Sequence, residues 1–133
     1  MRQFIFTLAA VAALTVSLTA SAQQGQTPDP MEIASKMTDN LIKDFDLDVA
    51  QAFKIDTMLQ SAYTAYYAEI NRLSKAGVST TSGQYQRVSD KWGDYIDKFI
   101  ESVMTDEQWA KYLKSDAGKN KKRRDKRMAD DKY

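Results

Sequence analysis

The segment Leu47-Asp48-Val49-Ala50-Gln51 marks the start of the helix that decides the fold. An apolar residue, then an aspartate, then a glutamine three positions later is typical of a helix capping box with a hydrophobic staple residue. Apolar residues then recur at helical spacing until Gly77, a residue suited to the left-handed position that follows a helix. They are Ala52, Ile55, Leu59, Ala62, Tyr66, Ile70 and Leu73. The pattern predicts a helix from Val49 to Ala76, about 40 Å long at a rise of ~1.5 Å per residue.

Three further helices are expected around this one. Asp29 and Pro30 predict the start of a first helix that ends near Asp46, with Glu32 closing a capping box. A polar connection at residues 78–83 is short enough to turn the chain back antiparallel into a third helix, Gln84 to Val103. Within the third helix, Gly93 predicts a close backbone approach or a slight bend. A second capping box, residues 104–108, starts one or two more helical turns.

The residue counts favour helices and exclude several kinds of site. Five glycines and two prolines are few for an all-β domain. We therefore predict an all-α fold: an elongated antiparallel helical hairpin with short flanking helices. The chain has no Cys and no His, which excludes a cysteine nucleophile, a Ser-His-Asp triad and the common zinc sites. We expect no enzyme, no catalytic residue, no metal site and no cofactor.

The first 22 residues have the features of a secretory signal peptide. Arg2 supplies a positive start, an apolar run extends from Phe4 to Leu18, and Ala20-Ser21-Ala22 is a small-x-small cleavage site. The fifteen-residue run is shorter than the ~20 residues of a membrane-spanning helix. We expect export to the periplasm with cleavage after Ala22. The predicted organisation is a signal peptide at 1–22, a helical domain at 23–113 and a basic tail at 114–133.

Charge is distributed unevenly between the helical domain and the tail. Residues 23–113 contain nine Lys/Arg and fourteen Asp/Glu, whereas residues 114–133 contain nine basic and four acidic residues. The tail has no apolar stripe, which predicts disorder or a frayed helical extension. We favour a solvated tail over a peripheral contact with anionic lipid, polysaccharide or acidic clients, and we expect no nucleic acid. The candidate basic contacts are Lys121, Lys122, Arg123, Arg124 and Arg127.

Acidic residues of the third helix form a stripe that could suggest a Ca²⁺ site. Asp90, Asp94, Asp97 and Glu101 fall within about 60° on the helical wheel. The stripe lies almost opposite the apolar face, and basic neighbours offer ordinary helix-surface ion pairs. A straight helix cannot wrap six oxygens around an ion, so we favour a solvated face.

The hairpin has more apolar surface than one helix–helix seam can bury. The apolar arc of the long helix covers roughly half of its circumference, and the surplus must meet the first helix, a second subunit or a client. We favour core plus homodimer interface over an open client-binding surface, and the two are compatible in a curved dimer. The candidate apolar binding or dimer residues are Phe53, Tyr63, Tyr66, Tyr67, Trp92, Tyr95 and Phe99.

The two helix starts resemble the paired LTxxQ motifs of the Spy/CpxP-like periplasmic family. The order of elements is also similar: signal peptide, short first helix, motif, long helix, return helix, motif and charged C-terminus. Aspartate at the first motif's Thr position and methionine at the second motif's Leu position are departures, but they retain the capping and stapling roles. The matching residues are Leu47, Asp48 and Gln51 in the first motif and Met104, Thr105 and Gln108 in the second.

The resemblance implies a cradle-shaped all-α homodimer in the periplasm. Members act as ATP-independent chaperones that bind exposed apolar segments of unfolded clients in envelope stress. The alternative is a regulatory or structural interaction protein that docks on an envelope partner, such as a stress sensor, without general chaperone activity. Some relatives bind metals through His, Cys or Met, but this chain has neither His nor Cys.

Overall fold

The computed structural model describes residues 28–130, which form five α-helices and contain no strand. The all-α prediction is confirmed. The predicted signal peptide, its cleavage point after Ala22 and residues 23–27 lie outside the described residues. No helix within 28–130 combines the length and apolar character needed to cross a membrane. The helices are α1, Pro30–Phe45; α2, Val49–Lys75; α3, Gly83–Val103; α4, Asp106–Lys114; and α5, Asp116–Asp130.

Helix α1 begins and ends at the predicted positions. The Asp29 carboxylate accepts a hydrogen bond from the Met31 N–H at 3.0 Å, and Asp46 ends the helix in a left-handed conformation with φ 53°. The predicted capping box through Glu32 is wrong. Its carboxylate contacts the Lys36 ammonium one turn later, at 2.6 Å, because an i,i+4 partner of opposite charge is within reach on the helix surface.

Helix α2 also has the predicted bounds to within one residue. Asp48 and Gln51 form the predicted capping box. Gly77 adopts φ 72°, and the Val78 N–H donates to the Leu73 carbonyl at 3.1 Å. This hydrogen bond satisfies a carbonyl that the end of a helix would otherwise leave unpaired.

The helices α2 and α3 pack antiparallel. Gln51, near the start of α2, contacts the Val103 carbonyl at the end of α3, whereas Glu69, late in α2, contacts Lys91 in the first half of α3. Helix α1 packs on α2, and α5 packs on α3 and α4. The buried apolar core is Ala34, Leu41, Phe45, Leu47, Ile55, Met58, Leu59, Ala62, Ile96, Ile100, Met104 and Tyr112.

The two capping boxes meet in space through their glutamines. The Gln51 amide nitrogen donates to the Gln108 amide oxygen at 2.7 Å and to the Val103 carbonyl at 3.0 Å. In return, the Gln108 amide nitrogen donates to the Phe45 and Asp46 carbonyls at 3.1 and 3.2 Å. We call Gln51 and Gln108 the glutamine clasp. Each glutamine closes its own helix start and also holds the backbone that precedes the other one.

The tail differs from the prediction of disorder or fraying, because residues 116–130 form helix α5. Arg127 donates two hydrogen bonds to Asp90 on α3, at 2.8 and 3.0 Å, and Arg124 forms an ion pair with Asp97. Asp90 and Asp97 thus neutralise Arg127 and Arg124, two of the charges from which a solvated tail was predicted. Between α4 and α5 the chain packs so closely that a side chain at Gly118 would collide with the Leu113 backbone.

The prediction of a solvated acidic face on α3 is therefore wrong at two of its four residues. Asp90 and Asp97 are 2% and 5% exposed and bind arginines of α5. Asp94 forms the ordinary surface pair, with Lys98 at 2.8 Å, and Glu101 is exposed. Within residues 28–130 no group of three or more His, Cys, Asp or Glu side chains is arranged to hold a metal ion.

The glutamine clasp should contribute most of the stability at the end of the α2–α3 pair that lies opposite the Gly77 turn. Gln51→Ala and Gln108→Ala should each lower the free energy of unfolding by about 2–3 kcal/mol. Each change removes a capping hydrogen bond and leaves a carbonyl of the other segment, Val103 or Phe45, without its side-chain donor. The double variant should cost less than the sum, since both changes remove one shared interaction. Urea unfolding followed by circular dichroism measures all three values.

Two kinds of control accompany this cycle. Asp48→Ala and Thr105→Ala remove only the caps and should cost about 1 kcal/mol each. Gln60→Ala should cost no more than about 0.5 kcal/mol, because the Gln60 amide bonds only to Asp56 within α2, at 2.8 Å. Fully additive effects at Gln51 and Gln108 would show that the two helix starts are not coupled.

Candidate functional site

The seven aromatic residues predicted as a binding or dimer surface do not form one continuous surface. Phe53 and Tyr95 are exposed, at 72% and 50%. They lie on different helices and in different grooves. The other five are half-buried: Tyr63, Tyr66, Tyr67, Trp92 and Phe99.

An apolar groove of about 450 Å³ lies between α1 and the beginning of α2. Ile42 of α1 and Val49 and Phe53 of α2 are all exposed there, and Val49 is 87% exposed. We call this the Phe53 groove. Its edges are acidic, with carboxylates from both helices: Asp39, Asp48 and Asp56. The sequence analysis did not single out Ile42 or Val49, although the four-residue spacing of Val49 and Phe53 places them on one face.

A second apolar groove, of about 480 Å³, lies between α2 and α3. The α2 side consists of small residues, including Ala62 and Ala65, and the α3 side carries Trp92 and Tyr95. The two aromatic rings meet edge to face, with centroids 5.5 Å apart. We call this the Tyr95 groove. It stays open because the small residues of α2 do not reach across to the aromatic rings.

The charged edge of the Tyr95 groove is neutralised. The Lys91 ammonium lies 2.5 Å from the Glu69 carboxylate and 5.2 Å from the centre of the Trp92 ring. The Trp92 indole N–H also donates to Glu69, at 3.2 Å. The hydrogen bond from Lys91 is the main reason that the pKa of Glu69 is lowered. This groove therefore presents an apolar surface without a net local charge.

A third concavity, of about 420 Å³, lies among α2, α3 and α5. We call it the arginine cleft, because tyrosines of α2 line it together with arginines of α5. Burial raises the pKa of Tyr63, and the neighbouring hydroxyls of Tyr67 and Tyr66 add to that shift. The defining residues are Tyr63, Tyr66, Tyr67, Arg123, Arg124 and Arg127.

Gly93 is where α5 comes closest to α3. A Cβ atom at this position would lie 2.6 Å from Nη1 of Arg124. A close approach at Gly93 was expected, but the approaching group is a side chain of the tail helix. The glycine lets the guanidinium of Arg124 cross α3 on its way to Asp97.

Asp97 links the tail helix to the core. The Tyr112 hydroxyl donates to one carboxylate oxygen of Asp97 at 2.6 Å, and Arg124 binds the other oxygen. The Tyr112 ring stacks on Trp109 with centroids 5.0 Å apart. Burial, with a smaller contribution from Tyr63, raises the pKa of Tyr112 to about 12. A neutral phenol thus remains a hydrogen-bond donor to the carboxylate over the whole physiological range.

The five candidate basic contacts of the tail do not form one patch. Arg124 and Arg127 are engaged by Asp97 and Asp90, and Lys121 contacts Asp125 within α5 at 2.5 Å. Lys122 and Arg123 are exposed. No described carboxylate pairs with these two residues.

The Arg124–Asp97 ion pair should be essential for docking of α5. Arg124→Gln should lower the free energy of unfolding by about 3 kcal/mol, because a buried carboxylate loses its partner. Adding Asp97→Asn should restore part of that loss. Arg123→Gln is the matched control one position away and should change stability by no more than about 0.5 kcal/mol. Equal effects of the two arginine changes in urea unfolding would contradict the docking role.

Stability should depend on alkaline pH through Tyr112. Its folded pKa of about 12 lies above the ordinary value of 10.0, so its contribution is complete below pH 10 and is lost as the pH rises towards 12. At roughly 1.4 kcal/mol per unit, the loss approaches about 3 kcal/mol. Tyr112→Phe should be less stable at pH 7 by about 1–2 kcal/mol, because the Asp97 hydrogen bond is gone.

The deficit of Tyr112→Phe should therefore disappear and change sign between pH 10 and pH 12. Urea unfolding at half-unit pH intervals measures this crossover. Tyr95→Phe, a change at an exposed tyrosine, is the control and should run parallel to the parent protein. A constant deficit for Tyr112→Phe across this range would disprove the assignment.

Comparison with known proteins identifies no relative of this chain. No family model, curated protein or solved structure matches the chain.

Proposed function

We propose that this protein is a periplasmic, ATP-independent chaperone-like protein that binds exposed apolar segments of unfolded clients, without enzymatic activity. The observation that carries the proposal is the presence of two open apolar grooves beside a packed core. Each groove exposes a large aromatic side chain, Phe53 or Tyr95. Solvent-exposed aromatic side chains grouped with other apolar residues are typical of interaction surfaces.

The shape of the grooves suits short apolar segments of a polypeptide. A client side chain that covers Phe53 gains the free energy of burying apolar surface, roughly 2 kcal/mol for one large side chain. Much of that gain is offset by the lost motional freedom of the client. Binding at a single groove is therefore weak and reversible, and release requires no nucleotide.

The charges around the grooves fit the same role. Asp39, Asp48 and Asp56 surround the Phe53 groove and give it a negative edge. Such an edge speeds encounters with basic, partly apolar segments and opposes pairing between two unoccupied grooves. In the Tyr95 groove, Glu69 neutralises Lys91. This groove would therefore bind apolar segments with less dependence on the charge of the segment.

The resemblance to the Spy/CpxP-like family supports this class of function. In the proposal, the chain is exported, cleaved after Ala22, and acts as a cradle-shaped homodimer. The alternative, docking on an envelope partner through the basic tail, has less support. Arg124 and Arg127 are turned inward onto Asp97 and Asp90, which leaves a weaker basic surface for such a contact.

Suppression of client aggregation tests the proposal. The purified protein, in excess over a chemically unfolded client, should reduce light scattering. Phe53→Ser and Tyr95→Ser should each weaken the effect several-fold, and the double variant about tenfold or more, because each removes about 1–2 kcal/mol of apolar contact. Leu113→Ser is the matched control, since Leu113 is exposed on α4 outside both grooves.

Sedimentation of the same variants separates client capture from pairing of copies. If Phe53→Ser dissociates a dimer without changing suppression, the Phe53 groove is a subunit interface and the client-binding role belongs to the Tyr95 groove. No suppression by the parent protein at excess would remove the proposal altogether.

A further inference from the structure

We propose that the arginine cleft binds a small organic anion with a planar apolar body, which lies on the tyrosine wall while Arg123 holds its single negative charge. This site shares only Trp92 with the Tyr95 groove and no lining residue with the Phe53 groove. Its ligand is a small molecule of the aromatic carboxylate type, and binding there does not depend on the chaperone-like role.

The dimensions of the cleft suit a small molecule. Its volume of about 420 Å³ falls within the roughly 300–1,000 Å³ of typical ligand pockets. Residues of α2, α3 and α5 line it.

The tyrosine wall supplies an apolar platform. The rings of Tyr63, Tyr66 and Tyr67 lie within 5.0–6.3 Å of one another, centroid to centroid. Burial raises the pKa of Tyr63, which is more deeply buried than Tyr67. Aromatic faces of this kind bind planar apolar groups through offset or edge-to-face contacts.

The tyrosine wall also brings hydroxyl groups to the cleft. Tyr66 and Tyr67 have hydroxyl groups with no hydrogen-bond partner among residues 28–130. These hydroxyls can donate to a ligand that brings acceptors.

Arg123 has no carboxylate partner. Its described contact is the Asn120 side-chain oxygen, at 3.4 Å, whereas Arg124 and Arg127 are each paired with an aspartate. Arg123 can therefore pair with one carboxylate of a ligand, which suits a small monoanion.

A matched pair of probes tests the proposal: 2-naphthoate, which is an anion, and 2-naphthalenemethanol, its neutral analogue. Isothermal titration of the purified protein measures both affinities. Naphthoate should bind about tenfold more tightly than the alcohol, because an arginine–carboxylate contact adds a charge-assisted hydrogen bond.

Arg123→Gln should remove that tenfold preference and leave binding of the alcohol unchanged. Lys122→Gln is the control: it removes one exposed charge next to Arg123 but does not line the cleft, so the preference should remain. Thermal unfolding of Arg123→Gln should match the parent protein, because Arg123 makes no ion pair with a described residue.

Three results would overturn the site. They are failure of naphthoate to bind, equal affinity of the parent for both probes, and a preference for naphthoate that survives Arg123→Gln. Loss of naphthoate binding in Phe53→Ser or Tyr95→Ser would place the probe in a groove instead. A failed aggregation assay leaves all of these outcomes unaffected, so the two proposals can be judged separately.

Discussion

The pairing of the Gln51 and Gln108 side-chain amides is the constraint on which the rest of the structure depends. A part-buried amide must satisfy both its donor and its acceptor, and here each amide does so with its own helix start and with the other segment. The clasp thereby fixes the end of α1 and the starts of α2 and α4 relative to one another. The direction of α4 then places Tyr112 beside Asp97, where Arg124 of α5 also binds. The docked tail helix is thus a consequence of the capping geometry at the opposite end of α4.

The three surface concavities differ because different helix pairs form them. The Phe53 groove lies between α1 and α2 and has acidic edges, whereas the Tyr95 groove lies between α2 and α3 beside small residues and has little net charge. The arginine cleft requires α5 and is lined by tyrosines and arginines. The first two suit apolar polypeptide segments, and the third suits a small anion. One short chain can therefore offer separate surfaces for separate ligands, since its core leaves the outer faces of α2 uncovered.

Much of the fold follows from signals that act within one helix. The caps at Asp48 and Thr105 and the left-handed Gly77 are local, so the bounds of α2 and α3 were predictable to within a residue. The tail and the acidic stripe were not predictable in the same way. On a helical wheel Asp90 and Asp97 lie opposite the apolar face, but their partners are 37 and 27 residues away in the chain. Periodicity within one helix contains no information about such pairs. The glutamine clasp and the exposed position of Phe53 also depend on contacts between residues that are far apart in the chain. Periodicity within one helix therefore does not predict them.

The clasp also has a consequence for the order of folding. Its two glutamines are separated by 57 residues, and a contact at that separation forms only after the intervening loop has closed. The turn at Gly77 joins α2 to α3, so pairing of the two helices can start there. The clasp lies at the opposite end of this helix pair. Its hydrogen bonds therefore belong to a late step, after most of the apolar seam has formed. Weakening the clasp would accordingly speed unfolding more than it slows folding.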